Sequence, residues 1–98
     1  MSTEIYLQRV PDAARIYNVS EAEYYSRAVR GLVPAPFKIG IRASRVPSNE
    51  TAAVSLALIA GKSDAEILKL VAELKLARAA QFTKFLHTAT GVQPEQAS

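Results

Sequence analysis

Residues 10–46 read "VPDAARIYNVSEAEYYSRAVRGLVPAPFKIGIRASRV", and the punctuation inside this stretch decides the fold. Pro11 suits the first turn of a helix, where its missing N–H costs nothing, and Asp12 complements the positive end of the helix dipole. Ala13, Ala14, Ile16 and Tyr17 supply a short apolar face. Asn18 tolerates the left-handed conformation that stops a helix. Ser20 then restarts one. Ser20 and Glu23 have the spacing of a capping box, in which each side chain satisfies the other's orphan backbone N–H. The second helix runs through "EAEYYSRAVR" to Gly31, and Pro34 and Pro36 forbid its continuation. Two short helices separated by a tight turn have helix-turn-helix spacing.

Beyond the prolines the period changes from helical to two. Phe37, Ile39 and Ile41 alternate with Lys38, Gly40 and Arg42, which predicts a β-hairpin with its tip at Gly40–Ala43 and Arg42 exposed. Pro47–Ser48 ends it. A third helix, "ETAAVSLALIA", is expected next, capped by Ser48 or Asn49 and ended by Gly61. It is apolar on nearly all sides, which predicts burial. Ser63 and Glu66 form a second capping box, opening a last helix from Asp64 to about His87. Ile67, Leu70, Val71, Leu74, Phe82 and Phe85 share one side of it, with Leu76 opposite. At about 1.5 Å per residue this helix reaches roughly 35 Å. That is more than so small a domain covers, so its far end is expected to pack on a partner subunit.

Charge is unevenly placed along the chain. Arg9, Arg15, Arg27, Arg30, Lys38, Arg42 and Arg45 face Glu4, Asp12, Glu21 and Glu23 in residues 1–47, whereas residues 48–98 balance. The whole +3 of net charge therefore belongs to the first half. Tyr24 to Val46 carries five of these cations and no acid. A basic face on a small domain points to a polyanion, most often nucleic acid. Tyr24 and Tyr25 are neighbours and point in different directions; Tyr25 is read as the exposed one. Arg45 also has Glu50 within sequence reach as an exposed ion-pair partner.

The 98 residues suit one domain. Cysteine is absent, which excludes disulfides and thiolate chemistry. No leader-like segment is legible at the start, and the longest apolar run is too short to span a bilayer. A cytoplasmic location is expected. His87 is the single histidine, too few ligands for a metal site. There is no nucleophile–base spacing, no Gly-rich phosphate loop and no paired carboxylates in apolar surroundings. The reading is therefore a non-enzyme with neither cofactor nor metal.

The stretch also resembles the AlpA-like and phage-excisionase branch of the MerR-like winged helix-turn-helix proteins. The resemblance rests on Val19–Ser20, Tyr25, Arg30–Gly31, Pro34, Pro36, Ile39–Gly40 and Arg42, matched without a gap, and covers about residues 9–54. Val46 and Val54 stand where the family usually has tryptophan, and Glu21 and Glu23 where it commonly has basic or small polar residues. The resemblance implies a winged helix-turn-helix domain over 9–61 within a mainly helical fold with a small β-hairpin; the residues themselves predict a flexible arm over 1–8, or a short strand at "EIYLQ", a packing or oligomerisation helix over 62–89 and a disordered tail over 90–98. It implies double-stranded DNA as partner. Arg27 and Arg30 would lie on the recognition helix with Tyr25, Arg42 at the wing tip, and Lys38 and Arg45 on phosphates. The role implied is an excisionase-like recombination directionality factor, self-associating on DNA beside an integrase. The alternatives are an AlpA-like transcriptional regulator, or a protein-interaction module of antiactivator or antitoxin type that does not bind DNA.

Overall fold

The computed structural model describes residues 5–90. Its elements in chain order are β1 (Leu7–Arg9), α1 (Val10–Ile16), α2 (Glu21–Val29), β2 (Phe37–Gly40), β3 (Ala43–Pro47), α3 (Ser48–Ile59) and α4 (Asp64–Thr90). The strands form one antiparallel sheet in the order β1-β3-β2. A helical fold carrying a small β-hairpin is what the periodicities foretold, and β1 adds a third strand to that hairpin. Of the two forms expected for residues 1–8, an arm or a short strand, Leu7 and Gln8 take the strand. They belong to β1, because the edge of β3 offers unpaired backbone groups that a neighbouring extended segment satisfies. Tyr6 N–H donates to Ser48 Oγ at 2.7 Å, and Ser48 N–H donates back to the Tyr6 carbonyl at 2.8 Å. Residues 1–4 of the expected arm, and all of the expected tail beyond Thr90, lie outside the described residues.

Three helices end in the same way. After α1, Asn18 takes φ 57°; after α2 and α3, Gly31 and Gly61 take φ 78° and 77°. Each of these residues donates its N–H back into the last turn, and the residue after it donates one carbonyl deeper: Val19 to Ala14, Leu32 to Arg27, Lys62 to Ala57. This paired closure satisfies carbonyls that would otherwise be orphaned at the helix end. It fixes the angle at which the chain leaves each helix.

The caps at the helix starts divide. Ser63 and Glu66 make the full reciprocal box: Glu66 N–H donates to Ser63 Oγ at 3.2 Å and Ser63 N–H to Glu66 Oε1 at 3.1 Å. The Ser63 N–H and hydroxyl, both donating to Glu66 Oε1, hold its carboxyl below the usual range, with Lys62 adding to the effect. The box at Ser20 is half made. Ser20 Oγ accepts from Glu23 N–H at 3.1 Å, while the Glu23 carboxylate turns away to two arginines. Helix α3 has neither expected cap. Pro47 occupies its N-cap, and the Ser48 hydroxyl is occupied by the β1 side of the molecule.

The core gathers Val10, Ala13, Ala14, Tyr24, Val33 and Val46, with Tyr17, Val19 and Ala28 packed against it. The two alanines of α1 let neighbouring elements approach closely. Tyr24 and Tyr17 lie with ring centroids 6.0 Å apart. Their hydroxyls are satisfied by carbonyls: Tyr24 donates to Pro34 at 2.7 Å and Tyr17 to Thr51 at 3.1 Å. Such pairing is what makes burial of a phenol tolerable. Helices α3 and α4 add Val54 and Ile67.

Two expectations about burial fail. Helix α3 is not enclosed: Glu50, Thr51 and Val54 are its buried residues, and Ile59 is 82% exposed. With α4 on one side and α1 and β3 on the other, the remaining face of α3 has no element left to cover it. The Arg45–Glu50 pair is also absent. Glu50 is only 3% exposed and is taken by Arg78 of α4, whose guanidinium meets it at 2.6 and 2.9 Å. Arg78 also donates to the Ala35 carbonyl at 2.8 Å and lies 5.7 Å from the Phe37 ring centroid. One side chain thus fastens α4 to α3, to the segment after α2, and to β2.

Candidate nucleic-acid interface

Helix α2 presents four longitudinal faces. Tyr24 and Ala28 point inward to the core. Glu21 and Tyr25 lie on one flank, one turn apart. Glu23, Arg27 and Arg30 lie on the other. Between the flanks the outermost residues are Ala22, Ser26 and Val29, all exposed and all small or short. An α-helix with its side chains is about 10–12 Å across and the DNA major groove about 12 Å wide, so a slim outer face is what groove entry needs.

The residues read from the sequence as the site divide between the two flanks. On the first, Tyr25, Arg42 and Arg45 come together with Arg9, Glu21 and Ser44 around an open cleft of about 280 Å³. Arg42 is exposed in the turn joining β2 to β3, as the hairpin reading expected. Arg45 is half-buried on β3 and donates from Nη1 to the Ser44 carbonyl at 2.9 Å. Tyr25 is the exposed tyrosine of its pair and Tyr24 the buried one. Lys38 is exposed on β2, opposite Ser44 in register, with Nζ 3.5 Å from the Ile41 carbonyl.

On the second flank, Arg27 Nε and Arg30 Nη2 both approach Glu23 Oε1, at 3.1 and 3.4 Å. Glu23 is therefore not the reciprocal cap its spacing suggested. It is a counter-charge that holds two arginines against α2. All three side chains are substantially exposed, so the attraction is weak and screened. It orders the arginines without cancelling their reach.

Two residues central to this geometry are not legible in the sequence pattern. Arg9 enters the cleft because β1 pairs with β3, and that pairing joins segments nearly forty residues apart. Arg78 looks like any surface cation of a long helix, and only the approach of α4 to α3 reveals its partner. Among the described residues no cluster of histidine, aspartate and glutamate is arranged to hold a metal ion. No helix there is long and apolar enough to cross a membrane. The chain matches no family model, no curated protein and no solved structure.

Proposed function

We propose that this protein is a winged helix-turn-helix DNA-binding protein, with α2 as the recognition helix and the β2–β3 hairpin as the wing. The observation that carries the reading is the cleft between the Glu21–Tyr25 flank of α2 and the hairpin, where Arg9, Arg42 and Arg45 gather beside Tyr25. Helix and hairpin tip lie on either side of one basic channel, as a duplex laying a major groove against α2 and its backbone against the wing requires. Arg27 and Arg30 are available from the other flank.

Within that class, the role proposed is an excisionase-like recombination directionality factor. Such a factor works architecturally, without chemistry of its own. Phosphate neutralisation releases counterions and supplies affinity. The recognition helix and wing fix register. Bending a site of 20–30 base pairs costs about 1–6 kcal/mol, offset by the additional contacts the bend allows, and the bent DNA favours the excision complex of an integrase. An AlpA-like transcriptional regulator would use the same face, and an excision assay with the cognate integrase separates the two. The protein-interaction reading draws on a different observation. Phe82 and Phe85 near the end of α4 are 64% and 68% exposed, and Ile59 and Leu56 of α3 are open as well.

The test is a fluorescence-anisotropy titration on duplex DNA flanking the gene, at two salt concentrations, with random DNA as competitor. Specific, salt-sensitive binding supports the proposal. Arg42→Ala is expected to weaken binding about equally on every sequence and to lower the logarithmic salt slope by about one. Absence of binding at low salt would transfer the case to a protein partner.

A further inference from the structure

The register of the sheet places Arg9 of β1 directly opposite Arg45 of β3. Residues facing each other on antiparallel strands project from the same side, with Cβ atoms about 4.5–5.5 Å apart, and like charges so placed destabilise the sheet. Arg9 carries a second electrostatic disadvantage, since it occupies the N-cap position of α1, where a cation is disfavoured and where its side chain makes no capping bond. No ion pair among the described residues relieves this: none involves Arg9, Arg42 or Arg45. Glu21 lines the same cleft, yet it pairs with none of them. Three guanidinium groups thus face one carboxylate across an open cleft, with two of them forced together by backbone pairing.

We infer that Arg9, Arg42 and Arg45 form a clamp for phosphate oxyanions, in which Arg9 is a contact contributed by β1 rather than by the helix-turn-helix unit or the hairpin. The guanidinium fork presents paired N–H donors that match two oxygens of one phosphate, and a charged acceptor between Arg9 and Arg45 turns their repulsion into shared attraction. Glu21, on the α2 side of the cleft, repels a phosphate from the helix and leaves it to the sheet. Under the DNA-binding reading, on which this assignment rests, the phosphate is a backbone phosphodiester. A free polyphosphate offers the same oxygens.

Wild type, Arg9→Gln, Arg9→Lys and Arg42→Ala proteins are titrated with the flanking duplex and with a scrambled duplex over a series of salt concentrations. Their thermal unfolding is followed at low salt with and without inorganic pyrophosphate. The clamp requires Arg9→Gln to bind both duplexes several-fold more weakly, with a salt slope smaller by about one, and Arg9→Lys to recover the slope but only part of the affinity. It also requires free Arg9→Gln to unfold at the same temperature as wild type or higher, because the repulsion with Arg45 is gone. A merely structural Arg9 would lower it. If Arg42→Ala loses a contact while Arg9→Gln binds unchanged, the clamp is wrong and the DNA reading stands. If wild type binds no duplex but pyrophosphate stabilises it and not Arg9→Gln, the clamp holds a free polyphosphate and the DNA reading falls. If neither duplex nor pyrophosphate distinguishes the proteins, the clamp is overturned.

Discussion

At the scale of single residues, Arg78 and the two core tyrosines carry the sharpest consequences. Arg78→Ala leaves the Glu50 carboxylate buried without its counter-charge, and breaking such a pair costs about 3 kcal/mol or more. Urea unfolding of this variant is expected to show a large loss of stability. Replacing both partners together, Arg78→Met with Glu50→Leu, is expected to recover most of it, because no uncompensated charge then remains. Burial raises the phenol of Tyr17 from its ordinary 10.0 to about 12, with the Glu50 charge adding to the shift. Tyr24 is raised further, again chiefly by burial. A folded-state value above the unfolded one means that stability is intact below about pH 10 and drains away as pH climbs through 10 to 12. Alkaline unfolding followed by circular dichroism is expected to coincide with tyrosinate absorbance in that window. Tyr24→Phe, which also leaves the Pro34 carbonyl without its donor, should lose stability at neutral pH and flatten the alkaline transition.

At the scale of elements, the two glycine stops offer a controlled comparison. Both have φ near +78°, so alanine at either is strained by about 1 kcal/mol. They differ in what lies beyond the backbone. A Cβ on Gly61 meets open space, whereas one on Gly31 would stand 3.0 Å from Leu68 Cδ2 of α4. Gly61→Ala is expected to cost about 1 kcal/mol and Gly31→Ala distinctly more, since Leu68 must also move. Equal losses in chemical denaturation would mean that α4 does not press on the end of α2. Helix α3 allows a similar contrast. Val54→Ala empties a fully buried site and should cost about 2 kcal/mol, while Leu56→Gln on the open face should stay within about 0.5 kcal/mol.

For the whole molecule, the longest dimension is 42 Å against 32 and 28 Å, and α4 accounts for the difference. Its first half is fastened by Ile67 and Arg78. Past Arg78 the same stripe continues into Phe82 and Phe85, both largely exposed. If copies of the protein meet on adjacent sites through this end, the double variant Phe82→Ser, Phe85→Ser should keep its melting temperature and its single-site affinity. It should lose cooperativity, read as the spacing between successive shifted bands on a multi-site fragment. Unaltered cooperativity would remove α4 from the assembly.

The sequence by itself determined the elements and their punctuation. Asn18, Gly31 and Gly61 stop helices, Ser20 and Ser63 start them, and the alternation from Phe37 to Arg42 makes the hairpin. These are local effects, each settled within four residues by backbone sterics and hydrogen bonding. Tertiary structure alone decided what each element meets. The hydropathy of α3 suggested enclosure, but burial depends on how many neighbours surround a helix, and α3 has an open side. Glu23 and Glu50 had plausible partners nearby in sequence. Glu23 kept its Ser20 contact only through its backbone and gave its carboxylate to Arg27 and Arg30, and Glu50 passed over Arg45 for Arg78, 28 residues away. Arg9 entered the basic cleft only through the register of β1 on β3. Long-range pairings of this kind depend on loop closure and on competition among many charged candidates, and no local spacing rule encodes that competition.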